Sequence, residues 1–479
     1  MATPTLVQHV SHSSAHNSNG GTTVSTYLIR FMQQSLANNC IIVCVNSAAG
    51  GVTPTVTDDQ SNTYTQAGSN SDGNQRVTMF VCTNATAGVQ AITVHFSTAT
   101  DFVSGCATEF YNVSTAALAS AKDTVSAGAN PTSNSGSGTS ITAASFTTQT
   151  AGDLIYQYAI QDTTSSPITS FTQGSSPWKL LHTDILDSTV AQFQVQAAAG
   201  ALNPTLTMSP TNSWNSIAIA LKSAAAGTAP TGMYCQRCQH NSIPPGSGSP
   251  VALQFPCSGN LLVVSTIMEP NLTISAIADG NSNTYSNTGA AFSNLDSGNV
   301  RHYYAVNPTT STTMTGPTIT YTGSPVSGST VQLFDFVGAS TTAPYDSTAG
   351  RHTASGSQGS AGSLTGAAIT PSRSGGYVLS TLGVASNTIN AVTGGGSIFL
   401  ASADVPETSP WPNDQNNGWA GIPNAAASSA TFTWTSNGGG AGNWATIADV
   451  FLPPTPPVVN PNLVPGPGPS TFQPNMVGY

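Results

Sequence analysis

Four groups of side chains in this chain have the types and spacing that chemistry needs. Cys235-x-x-Cys238-x-His240, with Cys257 further on, offers thiols and an imidazole at a spacing that tetrahedral zinc accepts. His9, His12 and His16 bring three of the 8 histidines into one short stretch, a set that could bind a transition metal. Asp58-Asp59-Gln60-Ser61-Asn62-Thr63-Tyr64 and Asp279-Gly280-Asn281-Ser282-Asn283-Thr284-Tyr285 gather the carboxylate and amide oxygens that a hard cation such as calcium prefers. The stretch from Trp411 to Trp419 sets two indoles beside amide and carboxylate groups, which suits the apolar faces and hydroxyls of a sugar; Trp411, Asp414, Asn416 and Trp419 are its candidate ligand-binding residues.

Catalysis has less to draw on. A nucleophilic triad needs Ser, His and an acid in a held geometry, and no G-x-S-x-G context accompanies the histidines. Glycoside hydrolysis would need paired carboxylates from 3 Glu and 16 Asp, most of them in turn-like contexts. No P-loop or dinucleotide fingerprint is present. The expectation is a non-enzymatic chain without cofactor.

An internal duplication tests each group, because the chain repeats itself at an offset of roughly 220 to 233 residues. Cys40 to Val45 matches Asn260 to Ser265, Ser61-Asn62-Thr63-Tyr64 recurs as Ser282-Asn283-Thr284-Tyr285, and Phe80 to Asn84 matches Tyr303 to Asn307. Glu109-Phe110 matches Asp335-Phe336, Ser176-Pro177-Trp178 recurs as Ser409-Pro410-Trp411, and Trp214 to Ala218 aligns with Trp444 to Ala448. This register sets Gln236 on Gln8, His240 on His12, Cys235 opposite Val7, Cys238 opposite Val10, Cys44 opposite Val264 and Cys82 opposite Ala305.

Cysteine that replaces an apolar residue behaves as a small buried hydrophobe, so core packing is expected in place of a metal. Seven cysteines are also an odd count that no complete intrachain disulfide framework can use. Among the N-terminal histidines only His12 has a counterpart, and the surrounding Ser-His-Ser-Ser-Ala-His-Asn-Ser-Asn-Gly reads as a strand end and a solvated loop. Asp, Asn and Gly tolerate positive φ and cap their own backbone, so the two Asp-to-Tyr stretches read as hairpin turns anchored by Asp58 and Asp279. Trp411 shares its place with Trp178, a loop anchor, whereas Trp419 has no counterpart and is the sharper ligand candidate; Trp214 and Trp444 read as core.

The elements that must position these groups follow from composition. Only 6% of the 479 residues are charged, and Lys122, Lys179, Lys222, Glu109, Glu269 and Glu407 are the only lysines and glutamates. Long helices with Lys/Glu-rich solvent faces are excluded. A net charge of −10 without any basic run leaves no footprint for nucleic acid or an anionic membrane. Met1-Ala-Thr-Pro-Thr-Leu lacks the parts of a secretory signal and no apolar run approaches about 18 residues, so the expectation is a soluble chain, without membrane insertion, not exported by the usual route.

Short segments rich in Val, Ile, Tyr, Phe and Thr read as strands at 41–45, 77–82, 91–96, 154–160 and 214–221, and again at 261–267, 301–306, 317–322, 331–337, 376–382 and 444–451. The predicted fold is all-β: two tandem antiparallel β-sandwich (jelly-roll-like) domains, 1–222 and 233–452, joined by a flexible small-residue linker, 223–232. Residues 453–479 are too rich in proline for helix or central strand and read either as a disordered tail or as an extended polyproline arm. Its Val458, Val459, Leu463, Val464, Phe472, Met476 and Tyr479 are an apolar set suited to docking on a neighbouring subunit.

Taken together, the apolar strand, the D-x-x-x-N-T-Y turn (Asp58 to Tyr64, Asp279 to Tyr285) and Tyr-Tyr-Ala-Val-Asn (Tyr303 to Asn307) resemble poorly characterised β-sandwich repeats of phage virion proteins and bacterial surface proteins. The resemblance implies a surface or assembly role, and the missing secretory signal, the tandem charge-poor β units and the proline-rich arm with apolar residues lead to the expectation of a capsid decoration, spike or tail-fibre component on a virion surface, partnered by copies of itself or other virion proteins. The alternative expectation, which rests on the Trp411 to Trp419 stretch, is an adhesive, glycan-binding module at a cell surface or outside the cell.

Overall fold

The computed structural model describes residues 2–12, 23–48, 52–161, 168–184, 188–243, 248–269, 271–294, 299–308, 316–323, 329–358, 362–384, 389–394, 398–399, 416–436 and 442–455. Among them the regular secondary structure is nearly all strand, and Leu118–Ala121 is the one helix. Every segment read as a strand from the sequence lies within or overlaps one.

A ten-stranded sheet runs through both halves of the chain. Its order is Ser286–Asn287, Asn299–Val306, Leu261–Met268, Ser329–Val337, Tyr234–Ile243, Thr5–His12, Ser104–Tyr111, Asn39–Ala48, Gln75–Ala85 and Thr65–Ser71. The halves meet where Thr5–His12 and Tyr234–Ile243 pair in parallel, with His9 opposite Arg237, Val10 opposite Cys238 and Ser11 opposite Gln239. Counted outward from this seam the two halves list matching strands in the same order.

Both faces of the ten-stranded sheet are covered, which explains why Asn39–Ala48 and Leu261–Met268 are near-continuous apolar runs. Alternate residues of Asn39–Ala48 serve opposite faces. Ile41, Val43 and Val45 pack with Tyr27, Ile29, Ile92 and Val94 of the three-stranded sheet formed by Val24–Arg30, Ala91–Thr100 and Pro54–Asp58. Cys40, Ile42 and Cys44 pack with Leu154, Tyr156, Tyr158, Ile217 and Ile219 of a six-stranded sheet. In the second half Leu262 and Val264 face a three-stranded sheet, and Leu261 and Val263 join Tyr377, Leu379, Trp419 and Ile447 of a five-stranded one.

Strand pairing also corrects the register of the duplication by one residue. Ile41 lies opposite Glu109 and Cys82, and Leu262 lies opposite Asp335 and Ala305, so Leu262 and not Leu261 is the partner of Ile41. Cys44 accordingly corresponds to Ser265, not Val264. Gln8 faces Glu109 as Arg237 faces Asp335, which places Cys235 on Leu6 and Cys238 on His9, not on Val7 and Val10. A one-residue slip exchanges the two faces of a strand, and only inter-strand pairing detects it where both faces are apolar.

The segment 223–232 is not the free linker its small residues suggest. Asn112 N donates to Ala226 O and Ala224 N to Asn112 O, Thr228 N donates to Asn39 Oδ1 (2.7 Å), and Asn39 Nδ2 donates to Thr228 O (3.0 Å). Gly227, at φ 85°, passes so close to Asn39 that a Cβ would sit 2.4 Å from its Oδ1.

Candidate functional site

The seam is built from two bulges and two acids. A register shift between Leu6 and Gln8, and another between Cys235 and Arg237, set Gln8 opposite Glu109 and Arg237 opposite Asp335. Glu109, fully buried, accepts from Leu36 N (2.8 Å), Asn39 Nδ2 (2.6 Å) and Gln8 Nε2 (2.6 Å). Burial raises its carboxyl above the ordinary range, and the three hydrogen bonds pull it part of the way back. Asp335, equally buried, accepts from Arg237 Nη1 (2.9 Å), Gly259 N (2.8 Å), Ser258 N (3.1 Å) and Cys257 Sγ (3.2 Å). One acid is served by amides and the other by a buried guanidinium.

Beside the seam, between the ten- and six-stranded sheets, sits a buried cluster. His9 and His182 stack with ring centroids 5.0 Å apart, and His9 Nε2 lies 2.9 Å from His182 Nδ1. Their other nitrogens meet Thr108 Oγ1 (2.8 Å) and Thr189 Oγ1 (3.2 Å). Tyr156 Oη lies 3.1 Å from Thr108 Oγ1 and 3.4 Å from Cys106 Sγ. Burial, the neighbouring imidazole and Arg237 hold His9 well below the ordinary histidine range; burial alone brings His182 down to about 3. Both rings are therefore neutral at physiological pH.

The second half places a different network against the ten-stranded sheet. Asp449 Oδ2 and His302 Nδ1 are 2.7 Å apart, His302 Nε2 meets Thr381 Oγ1 at 2.7 Å, and Thr381 Oγ1 meets Ser265 Oγ at 2.8 Å. Thr288 Oγ1 donates to Asp449 Oδ2, and Arg351 Nε lies 3.5 Å from it. Burial pushes Asp449 up, but His302, Arg351 and Thr288 outweigh it and hold the carboxyl below its usual range. Burial lowers His302 despite Asp449. Acid, imidazole and hydroxyl stand in the order of a nucleophilic triad, yet Asp449, His302 and Thr381 are all 0% exposed. No carbonyl can reach this hydroxyl, and the chain of hydrogen bonds joins two sheets.

A third buried group is Asp153, whose carboxyl is raised to about 8 by burial and by Asp123. Asp123 is itself committed to Gln149 N, Thr150 N and Thr150 Oγ1. Between the ordinary carboxylate range and about pH 8 the folded chain keeps a proton that the unfolded chain has released, so stability falls as pH rises through that window. Asp153→Asn is expected to abolish this slope, leaving the variant more stable than the parent by roughly 3 kcal/mol near pH 8.5 and about equal near pH 4. Urea unfolding midpoints at the two pH values measure it; parallel curves would refute it.

Several residues singled out in the sequence take other places than expected. His9 is a buried strand residue, not part of a solvated loop, because strands of the ten- and six-stranded sheets close over it. The side chains of His12 and His240, and all of His16, lie outside the described residues. Cys235 and Cys238 are buried, with Cys235 Sγ donating to Arg237 O (3.1 Å) and Gln332 Nε2 donating to Cys238 Sγ; all seven cysteines are free. Among the described residues the one trio of potential ligands close enough for a metal is His9, Cys106 and His182.

Both Asp-to-Tyr stretches are turns. Asp58 Oδ1 accepts from Gln60 N and Asn62 N, and Oδ2 from Asn62 Nδ2 and Tyr64 Oη, at 2.8–3.0 Å. Asp279 repeats this with Asn281 N, Asn283 N, Asn283 Nδ2 and Tyr285 Oη at 2.7–3.0 Å. Ser61 and Ser282 both take φ 59°. Four protein donors fill each carboxylate, which accounts for the D-x-x-x-N-T-Y pattern without a cation.

Trp419 is 0% exposed in the core and donates from Nε1 to Ser265 Oγ (2.8 Å), so its indole face is closed to a sugar; this corrects its reading as a ligand-binding residue. Trp411, Asp414 and the side chain of Asn416 lie outside the described residues, as do Val458, Val459, Leu463, Val464, Phe472, Met476 and Tyr479. Trp214 and Trp444 cover Gly136 and Gly356 of two edge strands, where a Cβ would come within 2.9 Å of the indole. His182, Cys106 and Asp449 gave no motif, although a polar residue at an inward position of an apolar strand is the signal that points to them.

No family model matches this chain, and no curated protein matches it either.

Proposed function

We propose that the chain is a non-enzymatic structural protein of a virion exterior, a capsid decoration, spike or tail-fibre component, made of two tandem antiparallel β-sandwich domains and an extended Pro-rich C-terminal arm. The observation that carries this reading is the chemistry of its sheet edges. Thr132–Thr142 pairs on one side with Thr205–Leu221, and Thr65–Ser71 with Gln75–Ala85; neither contains a charged residue or a proline, the usual protection against pairing with another chain. His352–Gln358, paired with Gly442–Phe451, is a third edge without Lys, Arg or Pro. Backbone groups along such strands suit addition of a neighbour's strand.

The burial of Trp419 leaves the glycan-binding alternative with less support. Quantitative mass spectrometry of purified particles is the test, and absence of the chain from them would overturn the reading. Because few ion pairs are available to screen, assemblies of the full chain are expected to keep their size in light scattering up to about 1 M NaCl. Dissociation with added salt would contradict assembly through neutral surfaces.

A further inference from the structure

We propose that His9, His182 and Cys106 form a site for one borderline-soft transition-metal ion of the zinc or copper type, which ties the ten-stranded sheet to the six-stranded sheet behind it. One ring nitrogen of each imidazole and the Cys106 sulfur lie within 4.8 Å of one another, and all three residues are buried. Bonds of about 2.0–2.1 Å to nitrogen and about 2.3 Å to sulfur set ligand separations of roughly 3.3–3.8 Å. The facing nitrogens, 2.9 Å apart, must open slightly, and the sulfur must come within that range.

The surroundings have the form of an outer ligand shell. Each imidazole has its other nitrogen on a threonine hydroxyl, Thr108 for His9 and Thr189 for His182, the kind of contact that orients a ligating ring and selects its tautomer. Tyr156 Oη touches both Thr108 Oγ1 and Cys106 Sγ. Cys44 lies directly opposite Cys106 in the strand register and is the nearest source of a fourth, equally soft ligand. Two nitrogens with one or two sulfurs disfavour calcium and magnesium and suit zinc or copper.

The proton count is definite. Without the ion, one imidazole N–H lies between His9 Nε2 and His182 Nδ1. When the ion takes that place, each ring ligates through its facing nitrogen and keeps its single proton on the outer one, donated to threonine. Cys106 ligates as thiolate, so one proton leaves per divalent ion, a second leaves where Cys44 also ligates, and no oxidation state changes.

The test refolds the full chain with zinc, with copper or with neither, desalts it, and measures metal by mass spectrometry. The expected result is about one ion per chain with at least one of the two metals, falling at least about tenfold in Cys106→Ala and His182→Gln and unchanged in Cys257→Ala. Cobalt(II) loading should give a thiolate charge-transfer band that Cys106→Ala lacks. Chelation should lower the parent's Tm by roughly 5 °C or more and leave Cys106→Ala unmoved. Where His182→Gln does not fold, the near-isosteric Cys106→Ser replaces it. A folded parent holding less than about a tenth of an ion per chain with both metals, or equal loading in Cys106→Ala, would overturn the proposal.

Discussion

Trp419→Ala is expected to lower the unfolding free energy by about 3–5 kcal/mol, among the largest effects available to a single substitution in this chain. The indole is 0% exposed and packs in the core that contains Tyr377, Leu379 and Ile447. Its strand alternates sharply. Gly418, next in sequence, leaves room for Trp434, whose ring would stand 2.7 Å from a Cβ there, while Trp419 points the other way into the ten-stranded sheet. Alanine would open a cavity and remove the Nε1 donor from Ser265 Oγ, the hydroxyl that continues through Thr381 to His302. Trp419→Phe retains most of the buried area and is expected to cost about 1–2 kcal/mol. Equilibrium urea unfolding of both variants measures this. A cost below about 1 kcal/mol for alanine, together with lost binding on a glycan array, would restore Trp419 as a ligand residue.

The second large effect is at the seam, where equivalent acids should respond unequally. Asp335→Asn takes the anion from Arg237, whose side chain is 3% exposed and whose Nη1 lies 2.9 Å from the carboxylate. Leaving that charge buried without its counterion is expected to cost about 3–5 kcal/mol. Glu109→Gln changes far less, because its partners are the amides of Gln8, Asn39 and Leu36 and burial already disfavours its ionised form. Gln8 Nε2 also donates to Gln33 O (3.2 Å), so turning its amide to meet the new one gives up that bond, and a loss of about 1–2 kcal/mol is expected. Urea midpoints for the two variants decide it, and equal losses would show that the guanidinium is not what distinguishes the halves.

How much of this was legible in the sequence depends on the reach of each signal. The Asp58 and Asp279 turns are local, spanning a carboxylate and the donors two to six residues beyond it, and the repeated D-x-x-x-N-T-Y pattern carried them completely. Apolar runs marked the strands for the same reason. The pairing of Cys44 with Ser265 was out of reach, since both strand faces are apolar and periodicity cannot choose between registers. His9, Cys106 and His182 lie on strands far apart in the chain, and nothing in the spacing of one strand reveals a side chain contributed by another. Trp419 misleads because a tryptophan without a counterpart in the other copy reads as a ligand-binding residue, whereas its strand enters the core.

The parallel seam also bears on how the chain reaches and keeps its structure. Pairing His9 with Arg237 joins residues nearly half the chain apart, and closing Tyr377 Oη on Met32 O at 3.0 Å joins residues 345 positions apart. Contacts of such sequence separation carry a large loop-closure entropy and form slowly, after the hairpins on either side have already set. Once formed they hold the N-terminal strand between two neighbours, so it cannot fray as an outer strand would. Refolding should therefore show a slow final phase, and spontaneous unfolding should be slower still, which gives persistence through rate and not only through equilibrium stability.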